Sequence, residues 1–125
     1  MTPFGKRMRE LRRERGMALK DMAGSIGVSS AYLSALEHGK RGRPGWHLIQ
    51  RILTHFNIIW DEAEEVVRLA RISHPRIAID TSGLDPRATE LANLLADDIA
   101  KLDPSSLDEM IRVLKKAGTR KPRLK

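Results

Sequence analysis

The side chains of this chain that could do chemistry are cations and hydroxyls. Lys40, Arg41 and Arg43 cluster with His38 in HGKRGRPG, where Gly39, Gly42 and Gly45 leave the backbone free to follow a run of phosphates or a groove. Just upstream, Ser29, Ser30, Ala31, Tyr32, Ser34 and Ala35 bring hydroxyls and small apolar groups to one stretch. Such groups bind; they do not by themselves break bonds. Asp97 and Asp98 are adjacent and so point apart on a helix, no hydroxyl has a paired His and acid, and no Gly-rich loop opens a helix after a strand. Enzyme activity is therefore not expected. His47 and His55 are eight apart, too far along a helix to share a metal without other ligands, and cysteine is absent. No metal, cofactor or disulfide is expected.

The charge sharpens this. Residues 1–60 hold 11 Lys or Arg against 4 acids, residues 61–117 hold 8 against 12, and residues 118–125 hold 4 against none, within a formal total of +7. The basic charge is local, and cations facing phosphates release condensed counterions on binding. The chain has no apolar h-region at its start and no run of the ~18 apolar residues that a membrane span needs, so a cytoplasmic protein is expected. At 125 residues, one compact body with a small appendage is the default.

These side chains are positioned by residues 19–38, LKDMAGSIGVSSAYLSALEH. Met22, Ala23 and Ile26 fall at helical spacing, Val28 sits in a turn with Gly27, and Leu33 and Leu36 recur three apart, which predicts two short helices, each with one buried side. Ser30, Ala31, Ser34 and Ala35 then face outward, and Ser29 is placed to cap. Ahead of this pair, Phe4, Met8 and Leu11 make the buried stripe of a helix from about Phe4 to Arg15, closed by Gly16. Arg12 borders that stripe; it either snorkels to solvent or finds an acid, for which Glu37 is the candidate. The second helix, about Ala18 to Ile26, has no side-chain cap at Ala18 and carries Gly24 inside, so packing must hold it.

Residues 4–56 resemble the helix-turn-helix domain of the Cro and phage-repressor (Xre-type) regulators, a lambda-repressor-like bundle of five short helices. The resemblance rests on Leu11-Arg12 before Gly16, on Met22 and Ala23, on Ile26, Gly27 and Val28, on Leu33 and Leu36, and on Glu37 followed by Gly39-Lys40. It implies that Arg12 and Glu37 form a structural ion pair and that the third helix enters the DNA major groove. Two departures matter. Family members often carry Ser or Thr and then Gln where this chain has Ala18 and Leu19, leaving Lys20 as the nearest replacement phosphate contact. The base-reading positions are Ser30, Ala31, Ser34 and Ala35, with no Arg, Gln or Asn for a bidentate pair, so direct discrimination should be shallow. Tyr32 either bonds a phosphate or covers the core. For the loop three roles stand: arginines of Arg41-Gly42-Arg43-Pro44 in a narrow minor groove, as in an AT-hook; ordinary phosphate contacts; or a solvated loop.

Downstream, a helix of about Gly45 to His55 is expected to bury Leu48, Ile49, Ile52, Leu53 and Phe56 with Trp46 at its entrance. A fifth helix, capped by Asp61 with Glu64 at N3, is expected to bury Ala63, Val66, Val67 and Ala70. This makes residues 1–72 the DNA-binding domain. Residues 73–84 read as an extended linker or a short strand that pairs across a two-fold axis. Two Leu-Asp-Pro starts, at Leu84 and Leu102, open a helical hairpin over 85–117; its apolar stripes must be covered by the amino-terminal domain or by a second copy. Residues 118–125 read as a disordered basic tail. The resulting expectation is an all-α, sequence-preferring regulator of double-stranded DNA, a repressor dimerising through 73–117 on a two-fold operator. The alternative is an antitoxin or adaptor that keeps the fold and binds a protein partner.

Overall fold

A computed structural model describes residues 1–118, all helical where regular. The chain divides into two compact units, 1–78 and 79–125. The first holds α1 (Pro3–Arg15), α2 (Leu19–Ser25), α3 (Ser30–Glu37), α4 (Trp46–His55) and α5 (Trp60–Arg71).

Each helix begins and ends for a local reason. Thr2 caps α1 by accepting from the Gly5 amide at 3.0 Å, Pro3 occupies the first turn, and Gly16 at φ 61° closes it. Ala18 gives α2 no side-chain cap, but the reverse half of a capping box is present: the Asp21 carboxylate accepts from the Ala18 amide at 3.1 Å. Ser29 caps α3, its hydroxyl accepting from the Tyr32 amide at 3.1 Å, and Gly27 makes the preceding turn at φ 76°. Helix α5 starts one residue before the expected cap. Its N-cap position is Ile59, without a side-chain bond, so Asp61 lies inside the first turn, where with Glu62 it faces the positive end of the helix dipole.

The core follows the apolar stripes. Phe4, Met8, Leu11, Met22, Ala23, Ile26, Leu33, Leu36, Leu48, Ile49, Ile52, Phe56, Ile58, Val66 and Ala70 are buried in one cluster, with Leu53, Ala63 and Val67 partly buried against it. Trp46, expected at the core entrance, is instead 61% exposed, and Trp60 is 81% exposed at φ 54°. Periodicity alone misplaces Trp46: Leu48, Ile49 and Ile52 already fill the buried side of α4, which leaves the indole on the solvent side of the first turn.

Between α5 and the next helix the chain is irregular, with bends at 75–76 and a turn at 82–83, and no strand occurs among the described residues. Ser73, expected in the linker, belongs to the first unit: it is buried, its hydroxyl accepting from the Phe4 amide at 2.8 Å and donating to the Leu69 carbonyl. Ile77 and Ile79 are exposed.

The second unit consists of α6 (Pro86–Asp98), a 3-10 turn (Ile99–Lys101) and α7 (Pro104–Gly118). Both Leu-Asp-Pro starts are capped: Asp85 accepts from the Arg87 amide and Asp103 from the Ser106 amide, each at 2.8 Å. Neither helix, nor the turn between them, has a buried residue. Leu91, Leu94, Ile99, Ile111 and Leu114 are all about half exposed. The expected basic tail lies, apart from Gly118, outside the described residues.

Candidate nucleic-acid interface

The first unit holds α3 by its far end. Arg12, from the last turn of α1, donates from both terminal guanidinium nitrogens to the Glu37 carboxylate, Nη1 to Oε2 at 2.5 Å and Nη2 to Oε1 at 3.1 Å, and both residues are buried. A bidentate pair of this kind fixes orientation as well as distance. The Glu37 carbonyl also accepts from the Thr2 amide at 2.9 Å and from the Thr2 hydroxyl at 3.2 Å. Gly5 makes this approach possible: a Cβ there would lie 2.2 Å from the Glu37 carbonyl oxygen. Gly5 carries no sequence signal, since a glycine inside a helix reads only as a weakness.

With its last residue clamped, α3 presents its other side. Ala31 is exposed, and Ser30, Ser34 and Ala35 are half-buried. Tyr32 is partly buried against the core, and the Arg41 guanidinium lies over its ring at 6.0 Å from the centroid. Tyr32 thus covers part of the core while its ring faces Arg41. Ser29 is taken up by its capping bond, and Lys20 is exposed in the first turn of α2.

The basic loop leaves α3 through a tight turn. Lys40 donates its amide to the Ala35 carbonyl at 2.8 Å, Gly39 takes φ 77°, and Gly42 repeats that value. His38 is exposed, its Nδ1 2.8 Å from the Ser34 carbonyl. Lys40, Arg41 and Arg43 are exposed, while Pro44 is buried and anchors the loop before α4. Thus the loop cations follow directly on the C-terminal end of α3, with Arg41 over the Tyr32 ring.

Three other cations of the unit are spent on structure. Arg51 donates to the Ile26 carbonyl at 3.1 Å, tying α4 to the end of α2. Arg15 donates to the Phe56 carbonyl at 2.6 Å with its guanidinium 5.3 Å from the Phe56 ring centroid. Arg7 faces Glu10 and Glu14 on its own helix. His47 and His55 are exposed, and no group of three or more His, Cys, Asp or Glu that could hold a metal occurs among the described residues.

Residues 3–72, which span all five helices of this unit, match the helix-turn-helix domain. The chain belongs to the helix-turn-helix family. It is similar to the HTH-type transcriptional regulator DdrOP3 of Deinococcus deserti, with 34% identity over 110 residues, covering 86% of this chain and 78% of the relative. It is also similar to two Bacillus subtilis proteins. The uncharacterized HTH-type transcriptional regulator RghRB is 50% identical over 44 residues, 35% of this chain and 32% of RghRB. The HTH-type transcriptional repressor RghR is 36% identical over 61 residues, 49% of this chain and 45% of RghR. The chain thus spans under half the length of both Bacillus relatives, but most of DdrOP3. In helix-turn-helix terms, α2 and α3 are the motif, and α1, α4 and α5 are its support. No described helix is long and apolar enough to cross a membrane.

Proposed function

We propose that this protein is a double-stranded DNA-binding transcriptional regulator of the Cro and phage-repressor (Xre) type, acting as a repressor and as a homodimer on a two-fold operator. The observation that carries the reading is the exposed basic loop leaving the C-terminal end of a clamped α3, so that one duplex can meet both. Helix α3 enters the major groove through Ser30, Ala31, Ser34 and Ala35, Ser29 and Lys20 lie at its start, and His38, Lys40, Arg41 and Arg43 bind the backbone. Small hydroxyl and methyl groups discriminate bases weakly, so α3 supplies shape while the loop supplies most of the affinity. The repressor and regulator names of the relatives agree with this role.

A homodimer through residues 73–117 is supported by the half-exposed apolar residues of α6 and α7, which a second copy can cover. The same feature favours one other reading, an antitoxin or adaptor whose α6 and α7 bind a different protein. A stoichiometric partner co-purifying with the chain, together with no enrichment of sites from a random duplex pool, would select that reading.

The test of the DNA reading is direct. Binding to arbitrary duplex should be micromolar or weaker, binding to a palindrome with half-sites ~34 Å apart should be tighter, and both should weaken with salt. Replacing Lys40, Arg41 and Arg43 together by Ala should reduce the salt slope by roughly 0.9 for each phosphate that is no longer neutralised. An unchanged affinity in that variant overturns the assignment of these side chains to the duplex.

A further inference from the structure

After α5 the chain passes next to the basic loop. Buried Ser73 fixes the start of this segment through its bonds to Phe4 and Leu69. Pro75 then packs on Gly39: a Cβ added at Gly39 would stand 3.3 Å from the Pro75 Cβ. His74 packs on Gly42, its Nε2 lying 4.0 Å from where a Gly42 Cβ would be. Gly42 is the residue between Arg41 and Arg43, so the imidazole lies next to the middle of the Arg41-Gly42-Arg43 run.

The ring is oriented by its own backbone. The Arg76 amide donates to His74 Nδ1 at 3.1 Å, which makes Nδ1 the acceptor and leaves Nε2 to carry the proton of the neutral ring. His74 is exposed, so that N–H is open to an incoming group. An N–H next to Gly42, the residue between two arginines in sequence, suits an anionic oxygen, and a phosphate held by Arg41 and Arg43 offers one.

We infer that His74 also binds the duplex backbone, donating from Nε2 to the phosphate run held by Arg41 and Arg43, with the packing of Ser73 and Pro75 setting its position. This rests on the loop being the duplex-binding surface. It also gives the segment after α5 a part in the interface that neither the helix pair nor the loop supplies.

The test uses the full chain and a mixed-sequence duplex at pH 8, with three substitutions. His74→Gln keeps a donor near the Nε2 position. His74→Asn keeps an acceptor for the Arg76 amide, as Asn does in turns, but loses the distal donor. His74→Ala loses both. All four proteins should unfold at the same temperature. The expected result is that Gln binds like wild type while Asn and Ala bind roughly three- to tenfold more weakly, the size of one hydrogen bond. The salt slope should stay close to that of wild type, because Lys40, Arg41 and Arg43 are all retained. If Asn binds like wild type and Gln is weak, the ring only holds its turn and the inference is overturned; equal binding by all four overturns it too. A wild type that does not bind duplex at all overturns the proposed function itself.

Discussion

The two units carry similar amphipathic helices and use them differently. In the first, fifteen apolar residues from five helices and their connections close into a single cluster, and every buried polar side chain there has a partner. In the second, the apolar residues of α6 and α7 recur just as regularly, yet none is buried. Periodicity therefore specifies which face of a helix is apolar, and neighbours decide whether that face is core or surface. Five short helices can enclose one another. Two cannot.

The largest break in this contrast comes from the clamp. Glu37→Ala leaves the Arg12 guanidinium buried without its acid, and we expect a loss of about 3–5 kcal/mol in the unfolding free energy of the first unit, read by urea denaturation. Gly5→Ala comes next. Its Cβ meets backbone at Glu37, which cannot swing aside, so α1 must shift; a loss of about 1–3 kcal/mol is expected, with weaker DNA binding as α3 tilts. In the second unit, replacing Leu94 and Leu114 together by Ser should leave the first unit's stability within about 0.5 kcal/mol, since both side chains are already exposed. The same change should convert the proposed dimer to monomer in sedimentation. Unaltered sedimentation would move the dimer interface elsewhere.

The smallest effect concerns pH. Hydrogen bonds from the Arg87 side chain and amide hold the Asp85 carboxyl below the usual carboxylate range, and the Ser106 amide and hydroxyl do the same for Asp103. A carboxyl with a depressed folded value stabilises its helix at pH above the ordinary carboxylate range. That contribution is lost as pH falls through the lowered value. Helicity of α6 and α7, followed by circular dichroism, should therefore decline slightly in acid, and Asp85→Asn, which keeps a capping acceptor, should blunt the decline.

What could be read from residues alone follows the same division. The stripes of Phe4, Met8 and Leu11, of Met22 and Ile26, and of Leu33 and Leu36 are dense enough that one burial pattern satisfies them, and all are buried. The two Leu-Asp-Pro starts are legible because a cap and a proline act within one turn. Gly5, Arg51 and Ser73 escape, since each is defined by a partner distant in sequence: Glu37, Ile26 and Phe4. Asp61 misleads for a different reason. A good capping residue two positions past the N-cap still serves the dipole, so its presence does not fix the boundary. His74 combines both difficulties, with nothing local to separate it from a linker residue.

Ser73 also sets an order of events. The amide it satisfies belongs to Phe4, so α1, made before the rest of the unit, lacks this partner until almost the whole unit has followed it out. Synthesis at roughly 5–20 residues per second puts several seconds between them. The opening of α1 is thus sealed late, and a nascent chain halted before Ser73 should yield to protease at the first turn of α1.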